Sequence, residues 1–307
     1  MSLGFLFRCV TKGAAAVPAV APVRSWHSGC SLFAAEKALL MKLRKSTGYT
    51  FTNCKTALEK FDNDVTQAET WLHEQAKKEG WSKAHKLEGR RAKEGLVGLF
   101  VGDNDAVMVE VNCETDFVAR NEKFQELVKA VAFATLAHHK NKTQSQGGYV
   151  KSLLGGEDLS KLTVAEGVTL ADHVAFVIGR LGENMSVRRA VALGVPAHWH
   201  LGSYVHAAVP GQAEVAMGRY AALVVFRGGP AGEEAALGRK LGQHVVGEAP
   251  VALGSEDDLP CGDSETRLLP QTFLSDPSRT VAQFLRGKQA RVLDFVRFEC
   301  GEGGEGR

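Results

Sequence analysis

Residues 111–121 read VNCETDFVARN and lie where an alternating apolar pattern gives way to a helical one. Upstream of this segment, valines recur at every second position, which predicts a β-strand. Downstream, apolar residues recur at helical spacing between residues 124 and 131, which predicts a helix. The junction places Asp116 beside Phe117. This pair suits a loop that contacts a partner, because a carboxylate can bind cations or amides while the ring fills a pocket.

The same residues also allow a purely structural interpretation. Asp and Thr at strand-to-helix junctions often cap the helix, and a junction Phe often turns inward as a hydrophobic staple. Taken alone, the local pattern favours this interpretation over a partner-binding loop.

Outward from the junction, the same order of elements occurs twice. A hairpin at 96–112 is followed by a helix capped by Asn121, a helix at 170–181 and a strand at 185–195. The order then recurs as two strands, two helices and a closing strand at 200–209, 219–227, 233–246, 279–288 and 291–299. We therefore predict an α+β fold whose core contains two duplicated α+β subdomains, 95–196 and 197–300, each with an antiparallel sheet.

The region before the hairpin is helical. Three short helical patterns occupy residues 36–78 and predict a compact three-helix module. Residues 79–94 follow as a basic helical linker. Seven Lys and Arg side chains between residues 77 and 93 allow a nucleic-acid contact. Trp81 is the one aromatic residue there, which favours a solvated linker and disfavours a nucleic-acid site.

The two ends of the chain differ in composition from the rest. The first 35 residues contain no acidic side chain, and Arg8, Lys12 and Arg24 are spread among small, apolar and serine residues. This composition is typical of a mitochondrial transit peptide, so we exclude residues 1–35 from the fold and expect a location in the mitochondrial matrix. Three of the 37 basic and none of the 35 acidic residues lie there, so the remaining chain is close to neutral. Residues 301–307 are predicted to be a flexible tail.

Several kinds of chemistry are not predicted. Gly287-Lys288 is followed by glutamine and neither phosphate-binding fingerprint occurs, so we expect no direct nucleotide binding. The six cysteines form no C-x-x-C pair, and the histidines around His198 and His206 lack neighbouring cysteines or paired carboxylates, so no metal and no cofactor is predicted. No Ser or Cys lies in a nucleophile elbow. Without a candidate nucleophile, we expect no enzyme activity. No apolar run approaches the about 20 residues of a membrane span, so we expect no membrane contact.

The junction and its surroundings resemble a known protein family. Residues 109–119 read VEVNCETDFVA, which looks like the EVNC-x-TDFVA signature of elongation factor Ts. Further family-like words, GEN, VRR, GSY and DPS, follow in order at 182–184, 187–189, 202–204 and 276–278. LRKSTG at 43–48 and NCKTAL at 53–58 resemble the ubiquitin-associated-like module at the start of that family, and the leader indicates its mitochondrial type.

This resemblance implies guanine-nucleotide exchange on mitochondrial elongation factor Tu, a translational GTPase, with no bond made or broken. By the family's mechanism, a loop presses on the GTPase beside its magnesium site, and Phe117 wedges into an apolar crevice. The loop consists of Thr115, Asp116, Phe117 and Val118. The resemblance assigns further partner contacts, ranked below Phe117, to Leu181, Gly182, His206, Arg44 and Lys55. Bacterial relatives carry a helical coiled coil where residues 248–277 are too short and lack heptads, so the contact made through that element is in doubt here.

Two other classes of function remain open. A ribosome- or RNA-associated mitochondrial scaffold would bind through residues 77–93 with a steep salt dependence. A small-molecule α+β enzyme would need a pocket with convergent titratable groups. We rank exchange first, the scaffold second and the enzyme third.

Overall fold

The computed structural model describes residues 36–47, 49–87, 89–143, 148–164 and 168–303. The predicted transit peptide (1–35) and the last part of the predicted tail (304–307) lie outside the described residues. The chain begins with the predicted three-helix module, formed by α1 (Lys37–Thr47), α2 (Phe51–Lys60) and α3 (Val65–Leu87). Thr50 caps α2, because its side chain accepts a hydrogen bond from the backbone N–H of Asn53.

The first copy of the repeated pattern contains four strands and four helices in the described residues. In chain order these are β1 (Glu94–Val101), β2 (Asp105–Cys113), α4 (Asp116–Ala119), α5 (Glu122–Thr143), β3 (Val150–Gly155), α6 (Gly156–Ser160), α7 (Leu170–Leu181) and β4 (Met185–Gly194). Thr169 caps α7 as predicted, since its side chain accepts from the backbone N–H of Asp172.

The second copy follows directly. Its elements are β5 (His200–His206), β6 (Ala216–Gly218), β7 (Tyr220–Gly228), α8 (Glu234–Glu248), β8 (Thr272–Phe273), β9 (Asp276–Thr280), α9 (Val281–Gly287) and β10 (Ala290–Glu299). The connection between α8 and α9 contains only the short pair of β8 and β9 and one 3-10 turn as regular structure among the residues described there.

Strand order confirms the predicted duplication. The first sheet has the order β3-β4-β2-β1-β6, and the second has the order β10-β7-β5. In both, the closing strand pairs antiparallel with the second strand, which pairs antiparallel with the first. The two copies therefore share this arrangement of three strands, and the fold is α+β with antiparallel sheets.

The two sheets pack face to face, and helices cover their outer faces. Val107, Val109 and Val111 of β2 face a core shared with α5 and α7. Ala106 and Met108, on the opposite face of β2, pack against the second sheet. A third cluster lies between the second sheet and the helices α8 and α9. Both faces of β2 are thus buried, so the strand that leads into the junction is held rigidly.

A close glycine crossing joins the helical module to the core. A Cβ atom at Gly80 of α3 would lie 2.5 Å from the carbonyl oxygen of Ala175 on α7. One at Gly179 of α7 would lie 2.8 Å from the carbonyl oxygen of Ala76. Only glycine allows the two backbones to approach this closely, so the crossing fixes the position of α3 relative to α7.

The structure differs from the sequence-based expectation in several elements. The linker predicted at 79–94 is helical as far as Leu87, as predicted, but this part continues α3 and packs on α7, so it is not a solvated linker. The turn α4 and the strands β3 and β6 are additional elements. α4 has four residues and β6 has three, lengths at which no periodicity can be read.

Candidate partner-binding site

The junction loop is a single helical turn at the end of β2. Thr115 caps this turn, because its side-chain oxygen accepts from the backbone N–H of Val118 at 3.4 Å. Val118 and Ala119 are buried in the core beneath the first sheet. Asp116 and Phe117 lie in the first turn and face outward.

The ring of Phe117 is left in solvent. Phe117 is 80% exposed, whereas the neighbouring Val118 is 8% exposed. The structural interpretation is therefore right for Thr115, which is a cap, and wrong for Phe117, which does not turn inward. A large ring held out on a buried framework is a typical anchor for a protein interface.

Asp116 is paired within its own loop. Its carboxylate accepts a hydrogen bond from the Arg120 guanidinium at 2.8 Å, four residues along the chain. Both side chains are largely exposed, and pairs of this kind are held weakly, by about 0.3–0.5 kcal/mol. The carboxylate of Asp116 can therefore exchange Arg120 for a partner group at little cost.

Two carboxylates tie the junction loop to the turn that follows α7. The Glu183 carboxylate accepts from the Thr115 backbone N–H at 3.1 Å and from the Thr115 hydroxyl at 2.8 Å. In the opposite direction, the Glu114 carboxylate accepts from the backbone N–H of Asn184 at 2.7 Å. These partners lie 68 and 70 residues apart in the chain, and no local pattern in the sequence predicts their contact.

The end of α7 is consequently held beside the junction loop. Gly182 ends the helix in the left-handed conformation with φ of 79°, and its N–H donates to the carbonyl of Ile178. Leu181 is half-buried against the core of the first copy. One residue earlier, the guanidinium of the buried Arg180 lies 4.8 Å from the ring centre of Tyr49 in the helical module.

A buried charge cluster, which no sequence pattern predicts, lies on the other face of β2. Glu110 has a fully buried side chain, and its carboxylate binds Arg188 at 3.0 Å and Arg189 at 2.6 Å. It also accepts from the backbone N–H of Gly301 at 2.8 Å. The cluster therefore connects β2 to β4 and to the end of the described chain.

The nearby thiols of Cys113 and Cys300 are unreactive. Burial raises the pKa of Cys113 and of Cys300 to about 12, so both thiols stay protonated near neutral pH. A protonated thiol is a poor nucleophile and a poor metal ligand. Among the described residues, no group of three or more His, Cys, Asp or Glu side chains is arranged to hold a metal ion.

The second copy has no equivalent wedge. At the corresponding junction between β7 and α8, Gly228 and Gly229 both have positive φ, and no acid is followed by an aromatic residue. Glu233, at the cap position of α8, makes no side-chain capping hydrogen bond. The exposed acid and ring are thus particular to the first copy.

Comparison with known proteins decides the family. The family model described as "Elongation factor Ts, mitochondrial, N-terminal" matches residues 23–82, and the one described as "Elongation factor TS" matches residues 114–261. A mitochondrial elongation factor Ts from Salmo salar is 71% identical over 304 residues, covering 99% of this chain and 98% of that protein. The chain belongs to the mitochondrial elongation factor Ts family.

Other members of the elongation factor Ts family align over nearly the same length. The mitochondrial protein from Rattus norvegicus is 50% identical over 97% of this chain and 95% of its own. The protein from Homo sapiens is 49% identical over 92% of this chain and 90% of its own. The protein is therefore a translation elongation factor of mitochondria, and the composition of residues 1–35 fits a transit peptide. Within the described part of the chain, no helix is both long enough and apolar enough to cross a bilayer.

The structure brings some of the family-implied contact residues together and leaves others apart. Leu181 and Gly182 adjoin the junction loop through Glu183. His206 is exposed at the end of β5, and its carbonyl accepts from the backbone N–H of Arg219. Arg219 in turn pairs with Glu94, which lies opposite Cys113 in the sheet.

Arg44 and Lys55 lie elsewhere, on the surface of the helical module. Arg44 is exposed on α1, and Lys55 on α2 pairs with Glu59 at 3.7 Å. Their connection to the junction loop runs through α7, which packs against α3 and carries Leu181 at its end. A partner that contacts both regions must extend along the protein from the module to the loop.

Proposed function

We propose that this protein is a guanine-nucleotide exchange factor for mitochondrial elongation factor Tu and acts in the mitochondrial matrix. It forms and breaks no covalent bond and binds no nucleotide itself. The junction loop (Thr115, Asp116, Phe117 and Val118) presses on the GTPase beside its magnesium site. The observation that carries this proposal is the outward ring of Phe117 on a turn whose next residues are buried.

Phe117 is suited to act as the wedge. The ring has few intramolecular contacts to lose, because it is 80% exposed in the free protein. Burial of such a ring in an apolar crevice contributes about 2 to 3 kcal/mol. This free energy promotes exchange only if the crevice opens when the magnesium and phosphate contacts to GDP are disturbed.

The physical principle is linkage. A partner that binds the nucleotide-free GTPase more tightly than the GDP form must weaken GDP binding by the same coupling free energy. Asp116 contributes by hydrogen bonding or by moving polar groups near the metal, after it separates from Arg120. Leu181, Gly182, His206, Arg44 and Lys55 add contact area that holds the complex while GDP leaves.

The proposal is tested by release of fluorescent GDP from mitochondrial elongation factor Tu. The protein without residues 1–35 should accelerate GDP release in proportion to its concentration until saturation. Phe117→Ala should reduce the maximal release rate at least about tenfold, because about 2 to 3 kcal/mol of ring burial is lost. Phe117→Leu should retain part of the rate, since it keeps an apolar side chain.

A matched control separates the wedge from general surface hydrophobicity. Leu153 lies on the edge strand β3 and is 71% exposed. Leu153→Ala should leave the release rate unchanged within about twofold, because single exposed apolar residues are common on protein surfaces. Normal stimulation by Phe117→Ala would exclude the wedge, and no stimulation by the unmutated protein would exclude exchange altogether.

A further inference from the structure

We propose that Glu183 is a positioning residue for exchange: its carboxylate holds Thr115 and thereby fixes the turn that presents Phe117. This inference rests on the proposed exchange function. Glu183 accepts both the backbone N–H of Thr115, at 3.1 Å, and its hydroxyl, at 2.8 Å. The same hydroxyl oxygen accepts the N–H of Val118 and so caps α4.

A second carboxylate completes the arrangement from the other side. Glu114, the residue before Thr115, accepts the backbone N–H of Asn184, the residue after Glu183. Asn184 also donates its side-chain amide to the carbonyl of Arg90 at 2.8 Å. We call the group Glu114, Thr115, Glu183 and Asn184 the clasp. Each of the two loops, the one after β2 and the one after α7, supplies one carboxylate to a backbone N–H of the other. The clasp therefore couples the positions of the two loops.

The clasp stabilises the short helix α4 in the junction loop. An isolated helix of four residues has no stability of its own in water, because helix nucleation is unfavourable. Val118 and Ala119 anchor the buried side of α4. The exposed side carries Phe117, so the cap at Thr115 must be fixed from outside the turn. Glu183 provides this with hydrogen bonds to a charged acceptor, which are about twice as strong as neutral ones.

Pre-organisation explains why the effect should appear in exchange and not in folding. Thr115 and Glu183 are half-buried, so water can replace their hydrogen bonds in a variant. The turn would then sample several conformations, and the partner would have to order it on binding. In this proposal Glu183 acts through the junction loop and needs no contact of its own with the GTPase or its nucleotide.

The first test compares Glu183→Ala and Glu183→Gln in the fluorescent GDP release assay. Glu183→Ala should lower the maximal release rate about tenfold, the factor expected for loss of one charge-assisted hydrogen bond. Glu183→Gln should recover part of this loss, because its amide oxygen can still accept one of the two Thr115 donors. The concentration of factor at half-maximal rate should change less, since the other contact surfaces remain.

Two measurements separate positioning from a general structural role. The backbone amide of Thr115 should exchange its hydrogen faster in Glu183→Ala, while the melting temperature stays close to that of the unmutated protein. In the Phe117→Ala background, Glu183→Ala should lower release much less than it does in the unmutated protein, because the main residue that it positions is gone and only Asp116 remains to be positioned. Glu157→Ala removes an exposed carboxylate paired with Lys161 on α6 and serves as the control, with unchanged release.

The outcomes distinguish failure of positioning by Glu183 from failure of the exchange function itself. If the unmutated protein stimulates release but Glu183→Ala does so equally well, positioning by Glu183 is wrong and exchange stands. Independent, additive losses from Glu183→Ala and Phe117→Ala would also overturn positioning. If Glu183→Ala does not fold, the release rate and Thr115 amide exchange of Glu183→Gln decide, since that variant keeps the size and shape of the side chain.

Discussion

Replacement of Glu110 by glutamine is expected to destabilise the fold without touching the junction loop. Glu110 is fully buried on β2 and binds two guanidinium groups, those of Arg188 and Arg189. Its carboxylate also accepts the N–H of Gly301. Glutamine has nearly the same shape, so the substitution changes charge and hydrogen bonding and leaves packing nearly intact.

The magnitude follows from the contacts. Two charge-assisted hydrogen bonds become neutral ones or are lost, and each such change costs about 1 kcal/mol. The amide NH₂ of glutamine would also face N–H donors where it needs an acceptor, so its own N–H groups would lack a hydrogen-bond partner. Both arginines are 31% exposed, so water can stabilise them in part and the cost stays below that of breaking a fully buried pair. We expect the free energy of unfolding to fall by about 2 to 3 kcal/mol.

Urea unfolding followed by circular dichroism measures this change by linear extrapolation. Glu157→Gln is the control, since Glu157 lies in an exposed pair with Lys161, and it should leave the unfolding midpoint unchanged. A decrease below about 0.5 kcal/mol for Glu110→Gln would show that the buried cluster contributes no net stability. A loss of exchange activity in a folded, stable Glu110→Gln protein would contradict our separation of this cluster from the wedge.

Three further outcomes are expected. Gly80→Val should force α3 away from Ala175 and lower the free energy of unfolding by about 1 to 3 kcal/mol, with faster proteolysis of the helical module; equal protease resistance would contradict the close crossing. Burial lowers the pKa of His244, whose Nδ1 accepts a backbone N–H. The contribution of the neutral ring to the free energy of unfolding is therefore fully present above pH 6.5 and is lost as the pH falls toward the lowered pKa. His244→Gln should therefore flatten the slope of unfolding free energy against pH below 6.5, and an unchanged slope would refute this. Arg120→Ala should alter stability by less than about 1 kcal/mol, because its pair with Asp116 is exposed, which thermal unfolding can check.

The sequence predicted elements whose period was long enough to read. The strands around the junction, α5, α7 and the longer elements of the second copy (β5, β7, α8, α9 and β10) were predicted because their apolar residues recur over several turns or pleats. The strand β3 was missed because it is an edge strand with an exposed Leu153 and alternates weakly. The place of β6 is decided by its pairing with β1 and not by its own three residues.

The candidate site was predictable in part. Thr115 and Phe117 could be nominated from a local pattern and a family signature, but whether the ring of Phe117 faces in or out depends on what Val118 packs against. Glu183 was invisible as a partner of Thr115, since nothing local in either segment indicates contact across 68 residues. The cluster around Glu110 could not be predicted either, because a single acid that alternates with valines in a strand suggests a solvent-facing residue until a second sheet covers it.

The pairing of β6 with β1 makes the first sheet depend on the second copy when the chain folds. β6 lies within the second copy, yet it forms the outer strand of the first sheet, with Val97 opposite Gly218 and Leu99 opposite Ala216. β1 therefore keeps an open edge until residues 216–218, which follow it by more than one hundred residues, fold against it. Open edges recruit other strands. A partly folded chain in which only the first copy has formed would therefore expose the edge of β1 to misassociation, and pairing with β6 of the second copy removes that exposure.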